Sequence, residues 1–451
     1  MKYVALSCLL ALLFTSCDTT KKQTVPATTL ETRVDSLVHV YLDSAKIAGV
    51  ALAVVKNKQP LLLKSYGYAD IAFDTPLPNN ATFEIGSVTK QFTGAAMMQL
   101  VEQGKLNLDD DITKHITFNT RGKKITVRQL LSHTSGIKGY TELPMFENLA
   151  QQKHKRDTLL RIVEKEPLDF EPGEALIYNN TGFFILGLII EKVSGLSYEA
   201  YVTKNLFEKA GMTNSYYASE SNIVKNKARG YQMGEKGLEI ASYLDHTWPY
   251  AAGSLSSNVE DLAKWNTALH HGQILNAANY KEFITPVSLN DGTLTHYAKG
   301  ITVTESHGRR KLEHGGGIFG YLSENAYYPD DSLSIVVLIN TAGPVSPSEI
   351  GDRIADWIFG KTSGNTSGFT GDATRFTGTF KGRGRGTDLS VIIEHKGNIL
   401  TARNGEDKPD TLKFVKDNTW SNGSASYKFS GEDKLNQLRI DHVYGCYVLK
   451  K

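Results

Sequence analysis

The segment FEIGSVTKQF, residues 83–92, places Ser87 three residues before Lys90, at the start of a stretch with helical apolar spacing. Residues three apart lie on one face of a helix, so the two side chains are expected to touch. A lysine can take the proton of a serine nucleophile if its pKa falls from about 10.4 by about three units, which corresponds to roughly 4 kcal/mol. The segment allows two interpretations: a nucleophile with its base, or a helix cap beside a solvated lysine.

The spacing of this pair does not decide between the two interpretations. Serine and lysine are common residues, and the same spacing recurs at Ser135-Gly-Ile-Lys138, inside a loop that contains glycine. A Ser-x-x-Lys match alone is therefore weak evidence for catalysis.

Two further segments carry residues suited to a hydrolytic site. Tyr178-Asn179-Asn180 precede a helix predicted from Thr181, at a position where side chains face a cleft. His314 is followed by three glycines on or beside a predicted strand, and glycines let a substrate backbone come close. Together with the first segment, they suggest one composite site.

The three segments, in this order, resemble the serine β-lactamase and penicillin-binding protein superfamily, in particular its class C-related branch of β-lactamases, D-amino-acid peptidases and esterases. The resemblance spans roughly residues 30–360. It is supported by ITVRQLLSHTSGI (125–137), FEPGEALIYNN (170–180) and AAGSLSSNVEDLAKW (251–265).

The resemblance implies a role for each matching residue. Ser87 would be the acylated nucleophile and Lys90 its proton acceptor. Tyr178 would pass a proton to the leaving group and help to activate water for deacylation. Asn180 would hold the substrate amide or support Lys90. The backbone N–H groups of Ser87 and Gly317 would bind the oxyanion.

The third motif departs from the pattern of many relatives, which carry a lysine where this chain has His314. A neutral or partly charged imidazole is expected to attract a substrate carboxylate less than a permanent cation does, which argues against strong β-lactamase activity. Gly316 and Gly317 are expected to line the substrate site. His133, within LLSHTSGI, is expected to have a structural hydrogen-bonding role.

Composition excludes several other classes of protein. The chain has 451 residues, of which 40% are hydrophobic and 22% charged, with a net charge of +2 and no long basic run. A nucleic-acid-binding role is therefore not expected. The sequence contains no G-x-S-x-G, H-E-x-x-H or phosphate-loop motif, and no cofactor is indicated.

The N-terminus predicts export. An apolar run from Val4 to Phe14 follows Lys2 and is too short to span a membrane, as in a signal peptide of residues 1–16. Cys17 lies where a lipoprotein carries its lipid; simple cleavage without lipidation is the alternative. Residues 17–28 would form a tether, which would place the protein in the bacterial cell envelope, lipid-anchored at the periplasmic face or the cell surface.

The rest of the chain predicts an α+β hydrolase domain, residues 29–360, in which an antiparallel sheet flanked by terminal helices carries an inserted, mostly helical subdomain. Residues 361–372 are predicted to form a linker. Residues 373–451 contain seven or eight short strands, which predicts a small β-barrel or sandwich. Cys446 is expected to be a buried small hydrophobic residue.

The expected function is hydrolysis of amide or ester bonds in small molecules or peptides. The alternative is a non-catalytic envelope lipoprotein that binds cell-wall peptides or a protein partner.

Overall fold

The computed structural model describes residues 29–219, 221–361, 369–431 and 435–451. The predicted signal peptide, the tether with Cys17 and most of the predicted linker lie outside these residues.

The α-helices of the described residues match most of the predicted helical segments. They are α1 Leu30–Asp43, α2 Thr89–Glu102, α3 Val127–Leu131, α4 Phe146–Leu149, α5 Arg156–Val163, α6 Asn180–Ser194, α7 Tyr198–Val202, α8 Glu208–Ala210, α9 Val259–His270, α10 Ala277–Phe283 and α11 Pro347–Phe359.

Two predicted helix starts are wrong by one or two residues. The helix predicted from Ser87 begins at Thr89, and Ser87 lies in a preceding 3₁₀ turn, Gly86–Val88, without capping the helix. The helix predicted from Thr181 begins one residue earlier, at Asn180, because the Asn179 side chain caps it by accepting the Gly182 N–H.

The strands of the larger, N-terminal domain are β1 Gly49–Lys56, β2 Gln59–Asp70, β3 Thr75–Pro76, β4 Phe83–Glu84, β5 Leu176–Ile177, β6 Tyr216–Tyr217, β7 Tyr231–Gly234, β8 Gly237–Ile240, β9 Leu255–Ser257, β10 Thr302–Ser306, β11 Arg309–Ile318, β12 Tyr321–Tyr328, β13 Leu333–Ile339 and β14 Thr341–Ala342. The main sheet is antiparallel, in the order β10-β11-β12-β13-β1-β2-β3. Its central strands β13 and β1 are mainly apolar because both faces of the sheet are covered.

Alternate residues of β1 separate the two layers that cover the sheet. Val50, Leu52 and Val54 pack into the core beneath α1 and α11, whereas Ala51 and Ala53 pack into the larger core of the helical subdomain. This alternation follows from the two-residue period of a strand. The small alanines face the side on which α9 contacts β1.

The C-terminal strands form a closed antiparallel barrel, which confirms a barrel rather than a sandwich. They are β15 Gly378–Arg383, β16 Asp388–Lys396, β17 Ile399–Asn404, β18 Asp410–Lys416, β19 Thr419–Ser421, β20 Ser426–Ser430, β21 Gln437–His442 and β22 Gly445–Lys450. Pairing of β15 with β22 closes the ring. The predicted α+β fold with a small β-barrel is thereby confirmed.

The barrel is joined to the N-terminal domain by strand pairing. On its outer side, β22 pairs with β5, so that Gly445 lies opposite Ile177 and Cys446 opposite Leu176. Cys446 is buried at this junction, as expected, and burial raises the pKa of its thiol to about 12. The pairing holds the barrel directly beside the segment that carries Tyr178.

Across the described ranges, no individual helix has the length and apolar composition needed to cross a membrane. One bent pair, Asn180–Ser194 with Tyr198–Ala210, meets those requirements jointly at an angle of 77°.

Candidate active site

Ser87 lies where its 3₁₀ turn meets the glycine-rich end of β11. A Cβ on Gly316 would lie 2.2 Å from the Ile85 carbonyl oxygen, and a Cβ on Gly86 would lie 2.9 Å from the Gly317 carbonyl oxygen. Only glycines permit so close an approach of two backbones. The approach brings the N–H groups of Ser87 and Gly317, the predicted oxyanion pair, to the same part of the cleft.

Lys90 is fully buried at the first turn of α2, and its amine has three neighbours. Nζ lies 2.8 Å from Asn180 Oδ1, 2.8 Å from the Ala252 carbonyl oxygen and 3.1 Å from Ser87 Oγ. Burial lowers the pKa of Lys90 well below its ordinary value, and the positive charge of Arg385 lowers it further. The environment thus favours the neutral amine.

A neutral amine fits these three neighbours in one way. The amide oxygen of Asn180 and the carbonyl oxygen of Ala252 can only accept, so they take the two N–H groups of the amine. The remaining lone pair of Nζ then faces Ser87 Oγ, which can donate its proton. Lys90 is therefore placed as a general base for Ser87.

The second Ser-x-x-Lys sequence has a different arrangement. Ser135 Oγ accepts the Ile137 N–H, whereas Lys138 forms an ion pair with Asp169 at 3.1 Å. Lys138 is thus held by a carboxylate instead of a serine.

Tyr178 is buried next to Ser87 and Lys90. Lys90 Nζ lies 4.8 Å from the centroid of the Tyr178 ring. Among the described residues the Tyr178 hydroxyl has no hydrogen-bond partner. Burial raises the pKa of Tyr178. The phenol therefore keeps its proton at neutral pH and has a free O–H to donate.

Asn180 connects Lys90 to the barrel through a chain of hydrogen bonds. Its Nδ2 donates to Thr141 Oγ1 at 3.2 Å, and Thr141 donates to Glu142 Oε1 at 2.8 Å. Arg385, in the turn between β15 and β16, donates to the same carboxylate oxygen at 2.8 Å. The amide that orients Lys90 is thus supported from the C-terminal domain.

His314 is buried, and both of its ring nitrogens have partners. Nδ1 lies 2.6 Å from the Gly315 carbonyl oxygen and must donate to it, so Nε2 accepts from the Tyr297 hydroxyl at 2.8 Å. Burial, followed by the charge of Lys90, lowers the pKa of His314 to about 3. This residue is therefore neutral at physiological pH and presents no cation to a substrate.

His133 has the structural surroundings expected for it. Its Nδ1 accepts the Asn179 N–H at 3.1 Å, and its ring lies 4.3 Å from the ring of Tyr178. Burial lowers the pKa of His133 well below its ordinary value. A neutral His133 thus positions the segment that carries Tyr178.

Arg385 and Tyr444 of the barrel also reach the site, and neither was identified from the sequence. The Arg385 guanidinium carbon lies 5.0 Å from the centroid of the Tyr178 ring, and the Tyr444 hydroxyl accepts the Gly315 N–H at 2.7 Å. Both residues belong to short turns without apolar periodicity. For Arg385, the alternation of glycine and arginine in GRGRG, residues 382–386, was the feature of the sequence that could have indicated a functional turn.

Ser87 lies between two cavities. One, of about 200 Å³, has mostly apolar walls that include Tyr140, Phe146 and Phe319. The other, of about 650 Å³, is bordered by Tyr178, the glycines of β11 and Tyr444 and extends to Lys311 and Asp352. A bond held at Ser87 can therefore have an apolar group on one side and a polar group on the other.

Within the described ranges, no cluster of three or more His, Cys, Asp or Glu side chains is arranged to hold a metal ion.

Solved structures similar to this chain include the octameric penicillin-binding protein homologue from Pyrococcus abyssi and a D-stereospecific amidohydrolase from Streptomyces sp. The first is 24% identical with a TM-score of 0.65, over 92% of this chain and 99% of that one, and this similarity concerns the fold. The second is 25% identical with a TM-score of 0.62, over 73% and 98% of the two chains.

Sequence relatives include Protein flp of Staphylococcus aureus strain MRSA252, which is 28% identical over 320 residues. The match covers 68% of this chain and 62% of that protein, so the chain spans less than two thirds of this relative's length.

The Beta-lactamase family model matches residues 34–356, a range that begins in α1, ends in α11 and contains Ser87, Lys90, Tyr178 and the glycines of β11. The resemblance deduced from the three motifs is confirmed: the chain belongs to the beta-lactamase family.

Proposed function

We propose that this protein is a serine hydrolase that cleaves amide or ester bonds of small molecules or peptides through a covalent acyl-enzyme at Ser87. The observation that carries the proposal is the placement of Lys90. Its amine is buried and 3.1 Å from Ser87 Oγ, and two acceptor oxygens at 2.8 Å direct its lone pair to the serine. A neutral base in hydrogen-bond contact with a serine is what nucleophilic catalysis requires.

The proposed reaction runs in two halves. As Ser87 Oγ bonds to the substrate carbonyl carbon, its proton passes to Lys90, and the oxyanion is held by the N–H groups of Ser87 and Gly317. The bond to the leaving group then breaks, Tyr178 gives that group a proton, and Lys90 returns its proton to Tyr178. In the second half, water replaces the leaving group, and the same proton transfers run in reverse to free the acid product.

The two cavities and the charge of the site support a substrate class. The apolar cavity suits an acyl part with an apolar or aromatic side chain. His314, being neutral, offers no cation for the carboxylate of a β-lactam, and the charge of Arg385 is already paired with Glu142. Both features favour uncharged amides and esters. The similarity to a D-stereospecific amidohydrolase supports D-amino-acid amides as candidates. A panel of p-nitrophenyl esters, D-amino-acid amides and nitrocefin is expected to give turnover in that order, with nitrocefin lowest.

Substitution of the nucleophile tests the proposal. Ser87→Ala is expected to abolish labelling by a fluorophosphonate probe and the matching gain in intact mass. Ser135→Ala is the matched control, because Ser135 begins the other Ser-x-x-Lys sequence and should leave labelling unchanged.

Undiminished labelling of the Ser87→Ala protein would rule out this nucleophile. Absence of any acyl adduct on the unmodified protein would instead favour the non-catalytic binding lipoprotein.

The cellular location is a separate part of the proposal. The apolar N-terminal run and Cys17 support export followed by attachment to a membrane through a lipid on that cysteine.

A further inference from the structure

The strand beside Ser87 has a free edge. β10 pairs with β11 only as far as the contact between Thr302 and Glu313, so residues 314–318 have no neighbouring strand on that side within the described part of the chain. N–H groups two residues apart on a strand point to the same side, which places those of Gly315 and Gly317 along this edge. A bound substrate can pair with this edge as an added strand.

One of these two N–H groups already has a hydrogen-bond partner in the barrel. Gly315 donates its N–H to the Tyr444 hydroxyl at 2.7 Å, and the ring of Tyr444 lies 5.2 Å from that of His314. A Cβ on Gly315 would lie 3.2 Å from the same hydroxyl, so Tyr444 packs closely against this glycine. The N–H of Gly317 has no such barrel contact and is left for the oxyanion.

Tyr444 lies on the leaving-group side of Ser87. In the proposed reaction Tyr178 protonates the leaving group, and the rings of Tyr178 and Tyr444 are 5.5 Å apart at 80°. Tyr444 borders the larger cavity and not the smaller, mostly apolar one. It is held there because β22, which begins at Gly445, pairs with the strand that ends immediately before Tyr178.

We propose that Tyr444 is a specificity-determining residue that limits the length of the leaving group. The donors of Gly315 and Gly317 are about 7 Å apart along the strand, so a peptide extended past the scissile bond meets Tyr444 after about one residue. The enzyme therefore releases ammonia, a small alcohol or a single amino acid into the larger cavity and excludes a leaving peptide of several residues. This inference rests on the proposed acyl-enzyme function.

The test compares substrates with one acyl group, D-phenylalanyl, and three leaving groups: ammonia, one alanine and tetra-alanine. For the unmodified protein, kcat/KM is expected to be at least about tenfold lower with tetra-alanine than with alanine. Tyr444→Ala should reduce this ratio to about threefold or less by raising kcat/KM for tetra-alanine. Tyr444→Phe, which frees the Gly315 N–H but keeps the ring, should give an intermediate ratio.

The matched control is Tyr447→Ala, which removes an aromatic ring from β22, the strand that follows Tyr444, at a position that lines neither cavity. Acylation by a p-nitrophenyl ester, with its dependence on Ser87, is measured for every variant, together with thermal unfolding. If Tyr444→Ala does not fold, the Tyr444→Phe ratio decides.

Three results count against the inference. Equal kcat/KM for alanine and tetra-alanine in the unmodified protein overturns it, as does an unchanged ratio in folded Tyr444 variants that still acylate; in both cases the proposed function stands. Absence of Ser87-dependent acylation by any ester or amide overturns the proposed function, and the inference with it.

Discussion

Removal of the Arg385 charge is expected to move the pH dependence of catalysis to higher pH. Arg385 contributes a positive charge beside Lys90 and so disfavours the protonated amine. Arg385→Gln removes that repulsion and raises the pKa of Lys90. Since only neutral Lys90 can accept the Ser87 proton, the acid limb of the kcat/KM profile should shift by the same amount.

The magnitude follows from the geometry. Lys90 Nζ and the Arg385 guanidinium carbon lie 4.8 and 5.0 Å from the centroid of the Tyr178 ring. Their separation is therefore at most about 10 Å, which at an effective dielectric constant of about 20 gives about 1.7 kcal/mol, or about one pKa unit. The Arg385 side chain is 42% exposed. Solvent screening reduces the expected shift to between about half a unit and one unit.

The other charged or titratable groups near Lys90 determine in which direction its pKa should move in the control variants. His133 and His314 are neutral at the relevant pH and Tyr178 keeps its proton, so Glu142 is the remaining charge that acts on Lys90. Without Arg385, the Glu142 carboxylate raises the pKa of Lys90 further. The double variant Arg385→Gln/Glu142→Gln should therefore shift the profile less than Arg385→Gln alone.

The assay is the pH dependence of kcat/KM for a p-nitrophenyl ester, with thermal unfolding to verify the fold. Arg383→Gln is the matched control: Arg383 lies on the same hairpin but pairs with Asp169 and Asp388, and it should leave the acid limb in place. Arg385→Lys should retain most of the native profile. A folded Arg385→Gln protein whose acid limb is unchanged or moves to lower pH refutes the argument.

Two further predictions concern stability and location. Burial raises the pKa of Glu324 well above its ordinary 4.5, so its contribution to stability is complete below pH 4.5 and is lost as pH rises through the folded-state pKa. Glu324→Gln should therefore have a higher free energy of unfolding than the unmodified protein at pH 8, by on the order of 1 kcal/mol per unit of pKa shift, and show no such gain at pH 4 when both are unfolded with denaturant; equal differences at both pH values contradict this. Cys17→Ala should move the protein from the membrane fraction to the soluble fraction of the producing bacterium, whereas Cys8→Ala should not; membrane retention of Cys17→Ala contradicts a lipid anchor at that residue.

Local patterns in the sequence predicted the elements that local forces determine. The contact between the Ser87 and Lys90 side chains was predicted correctly, because residues three apart on a helical turn are neighbours. The exact start of α2 was not, since the 3₁₀ turn at Ser87 results from contact between Gly86 and a strand more than 200 residues later. No local pattern encodes that contact.

The barrel residues of the site were unpredictable for the same reason. Arg385 and Tyr444 are ordinary turn residues, and their approach to Ser87 depends on β5, a strand of two residues that pairs with β22. So short a strand has no detectable periodicity. The sequence indicated a separate β-domain but not which of its turns faces the cleft.

The contacts of the site show which groups each of the two domains contributes to it. The three neighbours of the Lys90 amine, on Ser87, Asn180 and Ala252, all belong to the hydrolase domain, so bond formation at Ser87 does not need a barrel atom. The barrel instead supplies a charge that acts on Lys90 and a hydroxyl that covers the edge of β11. Changes in the barrel turns should therefore alter the pH range and the accepted leaving groups, while the acyl-enzyme step itself persists.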